Sequence, residues 1–179
     1  MKIIEGFGWK RQVDEVGDNS FSLDLGDRIV RVIPNVGKRH DHFRVSFMPS
    51  VTTREFSEMA SALMNESDSE YEPIASMLEK PEKVSNFGEG DVDIWLGKII
   101  AWAKSEDIEG GLAKYRTLPT DSVGARPMRH IAALALAGNV EKIEEYLCSF
   151  KAGNRLGFVP YITESMLDRA IALAKAGRG

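Results

Sequence analysis

The chain has 179 residues, 43% of them hydrophobic and 28% charged, with a formal net charge of −4. That balance sits near the globular average and excludes a disordered or collagen-like chain; the length suits one domain, or two lobes around one core. The single cysteine, Cys148, excludes an intramolecular disulfide and a cysteine-rich metal site. Charge is unevenly spread. Residues 51–109 carry fourteen acidic against five basic side chains, whereas residues 110–179 carry ten basic against six acidic. An acidic midsection disfavours general nucleic-acid binding, which needs many clustered cations, and suits a basic protein partner. Lys2 is followed only by Ile3-Ile4 before Glu5, which is no signal-peptide core, and the apolar run at 131–138 is too short to cross a bilayer. A cytoplasmic protein without membrane association is expected.

The first fifty residues read as a four-stranded antiparallel β-meander. The first strand is placed at residues 7–13, with Phe7, Trp9 and Val13 on one parity. Phe21, Leu23 and Leu25 alternate with polar residues, as a half-buried strand does. Gly26-Asp27 is a two-residue loop of the type II′ kind. It sets Leu25 opposite Arg28, Leu23 opposite Val30 and Phe21 opposite Val32, so the apolar side chains of both strands share one face. A polar loop at residues 35–41 leads to a fourth strand carrying Phe43, Val45 and Phe47.

Thr52 to Glu55 has the form of a capping box, a hydroxyl followed three residues later by a carboxylate. The helix it opens carries Phe56, Met59, Ala60, Leu63 and Met64 on one stripe and is expected to cover the sheet. Residues 71–79 read as a short helix with Ile74, Met77 and Leu78 inward, and residues 80–90 as a loop between lobes. Asp91 opens a stronger helix with a wide apolar face of Val92, Trp95, Leu96, Ile99, Trp102 and Ala103. A shorter one follows around Ile108, Leu112 and Tyr115, weakened by Gly110-Gly111.

From Arg126 to Ala176 three helices are clear. Pro127 suits a first helical turn, Gly138 a left-handed stop, Asn139 an N-cap, Gly153 a second stop and Thr163 a third start. The two-residue link at 138–139 implies an antiparallel helical hairpin, and its alanines allow close helix approach. The connector at 156–162 is unusually apolar, with Leu156, Phe158, Val159, Tyr161 and Ile162. It reads either as a buried strap across the hairpin or as an exposed edge that a partner covers.

One helix ends in Ala137-Gly138-Asn139 and a second in Ala152-Gly153-Asn154-Arg155. The apolar connector then runs into Thr163, and Leu167-Asp168-Arg169-Ala170 follows. This pattern resembles the C-terminal part of an uncharacterised family of small bacterial proteins, a domain of unknown function. The resemblance covers the last third of the chain. It implies a bacterial, cytosolic protein and brings no catalytic residues with it.

The architecture expected is α+β: residues 1–80 a β-meander with its helix, residues 90–179 a helical lobe ending in a hairpin plus one helix, the two sharing one core. Signatures of common catalysis are missing. There is no Gly-x4-Gly-Lys-Ser/Thr loop, no Gly-x-Ser-x-Gly elbow and no His-Glu-x-x-His pair, and no cofactor is implied. His40 and His42 flank Asp41 and would share one side of an extended segment, but two histidines make an incomplete metal site even with Asp91 or Asp93 added. Cys148 lies beside Glu144 and Glu145, which disfavour a reactive thiolate. Arg126, Arg129 and His130 at one helix start and Lys151 and Arg155 at the next helix end converge in a hairpin and form a candidate anion site. Leu156, Phe158, Val159 and Tyr161 form a candidate partner surface. The function expected is a non-catalytic interaction protein of chaperone, adaptor or immunity type. The rival is a small anionic-ligand binder or enzyme with its site between the lobes, and a homodimer is a third way to cover the connector.

Overall fold

The Gly26-Asp27 loop settles the register of the first sheet. In the computed structural model, which describes residues 2–14, 16–66 and 70–177, Gly26 has φ +98°, a left-handed value that glycine adopts without a Cβ clash. Strand β2 (Asn19–Asp24) then pairs with β3 (Ile29–Val32) with Phe21 opposite Val32 and Leu23 opposite Val30, as the alternation predicts. Phe21, Val30 and Val32 are fully buried.

The chain is α+β, with two antiparallel sheets and seven helices among the described residues. It divides into two compact units, Met1–Thr53 with Pro73–Glu106, and Arg54–Glu72 with Asp107–Gly179.

The first unit holds all the strands found among the described residues. Residues Lys2–Gly6 form a short helix, α1, ahead of the expected first strand, and strand β1 (Lys10–Val13) starts later than expected. Trp9 is buried, but Phe7 and Val13 are exposed, so their shared parity does not mark an inward face. The expected single meander is two sheets. Strand β5 (Phe43–Ser46) does not add to β3. It pairs instead with β4 (Asn35–Lys38), drawn from the supposed polar loop, and with β8 (Glu82–Val84). The place beside β3 is taken by β6 (Ser50–Thr52), followed by β7 (Ala75–Ser76). The segment read as a helix at 71–79 is instead irregular chain that contributes the two-residue edge strand β7. Pro73 biases the residue before it to extended backbone, and the N–H groups of Ile74 and Met77 donate to Val51 and Pro49. Ile74 is buried as expected, whereas Leu78 is almost wholly exposed.

Helix α3 (Glu89–Ser105) buries Val92, Leu96, Ile99 and Ala103. Trp95 packs at 5.3 Å from the Phe47 ring and 5.8 Å from that of Phe87. The carbonyls at its C-terminus would otherwise lack partners. Arg28, beside the β2–β3 turn, donates from Nη1 to the carbonyls of Ala103 at 2.7 Å and Glu106 at 3.0 Å.

The second unit is helical. Helix α2 (Arg54–Met64), expected over the sheet, groups here and packs against α5 (Arg126–Leu136) and α7 (Glu164–Ala176). It starts one residue later than the capping box implies, because Thr52 ends β6. Helices α4 (Ile108–Arg116) and α6 (Val140–Lys151) complete the unit. Helix α5 touches all four others. The caps fall where the sequence puts them: Asn139 accepts from the Lys142 N–H, Thr163 from the Met166 N–H, and Gly138 has φ +67°.

The Arg28 clamp gives a direct test. Replacing Arg28 with Ala leaves the last α3 carbonyls without their donor and is expected to cost about 2 kcal/mol. Urea denaturation reads this as a lower midpoint with unchanged slope; an unaltered midpoint would remove the clamp from the stability of the first unit.

Candidate functional site

The five cations expected to form one anion site do different jobs. Pro127 starts α5 and sets Met128, His130 and Ile131 inward. His130 is 2% exposed. Its Nδ1 lies 2.8 Å from the carbonyl of Tyr115, which can only accept, so Nδ1 carries the proton; Nε2 lies 3.0 Å from the Tyr146 hydroxyl and accepts from it. Burial holds the imidazole pKa below its ordinary value, so the ring is neutral and both nitrogens are engaged. His130 is a core residue and offers no charge to a ligand. Arg129 pairs through Nε with Glu72 and lies 5.9 Å from the centroid of the Tyr115 ring. Arg155 donates to the carbonyls of Val159 at 2.9 Å and Ile162 at 2.7 Å and stacks 4.8 Å above Phe150. Arg126 and Lys151 are exposed.

The connector is a strap that turns most of its apolar side chains inward. Phe158 is buried, with ring centroids of Tyr146, Phe150 and His130 at 5.2, 5.8 and 6.4 Å. Ile162 is fully buried, and Leu156 and Val159 are half-buried. The Thr120 hydroxyl donates to the Leu156 carbonyl, and Tyr161 donates to the Gly124 carbonyl at 2.7 Å. Of the four connector residues singled out as a partner surface, only Tyr161 is exposed, at 40%.

Tyr161 faces a cleft. Its floor is Ala60 and Met64 of α2 with Ala125 and Met128 near the start of α5, and its rim carries Glu66, Glu70 and Glu72. The cleft encloses about 300 Å³, at the small end of ligand-binding cavities. Its acidic wall is anchored by two serines. Ser61 Oγ accepts from the Glu70 N–H at 2.8 Å and Ser57 Oγ from the Glu72 N–H at 3.2 Å. From the other side, Arg169 of α7 donates twice to the Leu63 carbonyl and closes the end of α2. Glu72 is neutralised by Arg129, while Glu66 and Glu70 are exposed. The cleft therefore combines an apolar floor, an aromatic wall and two open carboxylates. It suits a cation on an apolar stem.

A protein-family model, described as a family of unknown function (DUF6990), matches residues 1–175. The chain belongs to this family. The likeness first visible in the last third of the chain therefore extends over nearly all of it, so both the sheet unit and the helical unit of this DUF6990 member fall within the match. No curated protein and no solved structure matches the chain.

Sequence reading saw Glu66, Glu70 and Glu72 only as part of an acidic midsection and missed Ser57 and Ser61. They lie four apart on the buried stripe of α2, and buried hydroxyls on an apolar stripe are a signal that something outside the helix bonds them. The weaker candidates stay apart. His42 Nδ1 sits 2.6 Å from Asp41, and no group of three or more His, Cys, Asp or Glu side chains suited to a metal occurs among the described residues. Cys148 is exposed and unpaired.

His130 makes stability depend on pH. Its folded pKa lies below the ordinary value of 6.5, so the unfolded chain takes up a proton first as pH falls, and stability drops below about pH 6.5. His130→Gln keeps a donor and an acceptor but cannot titrate. It is expected to flatten the acid limb of the unfolding midpoint against pH; a limb of unchanged slope would assign it to other groups.

Proposed function

We propose that this protein is a non-catalytic interaction protein that takes a basic side chain of a protein partner into the Glu66–Glu70 cleft. The observation that carries this reading is the pairing of two exposed carboxylates with an apolar floor at Met64 and Met128 and the exposed ring of Tyr161. Lysine and arginine bury an apolar stem and keep a charged head at the rim, so both halves of the cleft have a counterpart in one side chain. The acidic midsection of the sequence extends the same complementarity and favours fast encounter with a basic surface. An anion at this cleft would meet like charge. The setting proposed with it is the bacterial cytoplasm: the sequence resemblance supplies the first word, and a lone exposed cysteine suits a reducing compartment.

The test compares wild type with a Glu66→Lys/Glu70→Lys variant of unchanged unfolding midpoint, each tagged and used to capture partners from lysate of the encoding organism. A carbodiimide then joins carboxylates to lysines in direct contact. The expected result is one stoichiometric partner, a cross-link from Glu66 or Glu70 to one of its lysines, and affinity weakened at least about tenfold in the variant. Equal retention of the partner by both proteins would sink the proposal.

A further inference from the structure

The three-stranded sheet of the first unit has two unlike faces. Strand alternation puts Val36, Phe43, Val45 and Val84 on one. Val45 is buried there, and Phe43 lies 6.3 Å from the Phe87 ring. The other face carries Asn35, Gly37 and Arg39 of β4 and its turn, Arg44 and Ser46 of β5, and Lys83 of β8. Gly37 is directly opposite Arg44, and Arg44 is directly opposite Lys83. The Arg39 N–H donates to the His42 carbonyl at 2.7 Å, which continues the ladder and keeps Arg39 on the same face.

Two like charges opposite each other across a strand pair destabilise a sheet. Here Arg44 and Lys83 hold those positions, with Arg39 beside them, and none of the three makes an ion pair among the described residues. The carboxylate in the adjoining turn, Asp41, is engaged by His42, and Glu82 falls on the opposite parity of β8. On this face lies a concavity of about 140 Å³ lined by Asn35, Gly37, Arg39, Arg44, Ser46 and Pro81, with Lys83 opposite Arg44 on the neighbouring strand. A Cβ on Gly37 would meet only the Arg44 carbonyl, at 3.9 Å, so its floor is open backbone.

We propose that this face is a binding site for a small soluble phosphoryl anion, with the guanidinium groups of Arg39 and Arg44 and the ammonium of Lys83 as its cationic ligands and Asn35 and Ser46 as neutral donors. Two planar forks and a point charge match a tetrahedral dianion better than a single carboxylate. The concavity has room for a compact anion such as phosphate or pyrophosphate rather than an extended ligand. The bound anion would also relieve the Arg44–Lys83 repulsion, which ties occupancy to stability. The site is independent of the acidic cleft.

Isothermal titration with inorganic pyrophosphate, against sodium chloride at matched ionic strength, tests it. Wild type is expected to bind one equivalent and to gain in unfolding midpoint. Arg44→Gln is expected to weaken binding at least about tenfold, and Lys98→Gln, on exposed α3 surface, to leave it unchanged. Lys83→Glu provides the second reading. It puts a carboxylate opposite Arg44, so it raises the midpoint without pyrophosphate and abolishes the gain with it. No saturable heat above the chloride control, or equal affinity in wild type and Arg44→Gln, overturns the proposal. If Arg44→Gln does not fold, Lys83→Glu decides: a midpoint still raised by pyrophosphate as in wild type overturns it.

Discussion

The short side chains of α5 set how closely the helical unit can pack. Ala132, Ala133 and Ala135 are 2% exposed or less, and α5 contacts α2, α4, α6 and α7. A helix with four neighbours has little room for long side chains on every face, and alanine lets axes approach without giving up helix propensity. Larger residues then sit where neighbours leave space. Ile131 meets the core, and His130 reaches out to both Tyr115 and Tyr146. The same packing positions Met128 and Tyr161 at the cleft. Functional geometry in this unit is downstream of one alanine-rich helix.

Polar groups inside such packing must be satisfied, and much of the specificity of this fold lies in how that is done. Arg155 serves the connector carbonyls, Arg169 the end of α2, Arg28 the end of α3, and Ser57 and Ser61 the chain segment that carries Glu70 and Glu72. Each is a side chain bonded to backbone far away in sequence or across a turn. Hydrogen bonds to a charged donor are stronger than neutral ones, so three arginines that look like surface charge act as fasteners. Arg39, Arg44 and Lys83 on one face of the small sheet have no such task.

This division explains what the sequence could reveal. Helix limits in the last third were legible because local chemistry sets them: Gly138, Asn139, Gly153 and Thr163 act within their own turn. The β2–β3 register was legible because a two-residue loop leaves only one pairing that puts Phe21, Leu23, Val30 and Val32 on one face. The sheet partners of β5 were not, because alternation specifies a face and not a neighbour, and β4 is too polar to announce itself. Residues 71–79 failed for a related reason, since apolar residues spaced three and four apart in so short a segment do not outweigh two backbone bonds to β6 and its approach. The candidate anion site was read from charge without its partners, which the fold supplies: Glu72 engages Arg129, and the connector carbonyls engage Arg155. The cleft itself joins residues some hundred positions apart, which no local pattern encodes.

The helical unit is discontinuous in sequence, and this has a consequence during synthesis. Helix α2 leaves the ribosome well before α5 and α7, with all of residues 73–106 made in between. Phe56 and Leu63, fully buried in the finished unit, then have no covering helix until α4, α5 and α7 emerge. Contacts across such sequence distances delay folding, because loop closure comes before any reward from packing. The nascent chain therefore carries an exposed apolar helix for much of its elongation, and the sheet unit, complete by residue 106, is the part able to fold first.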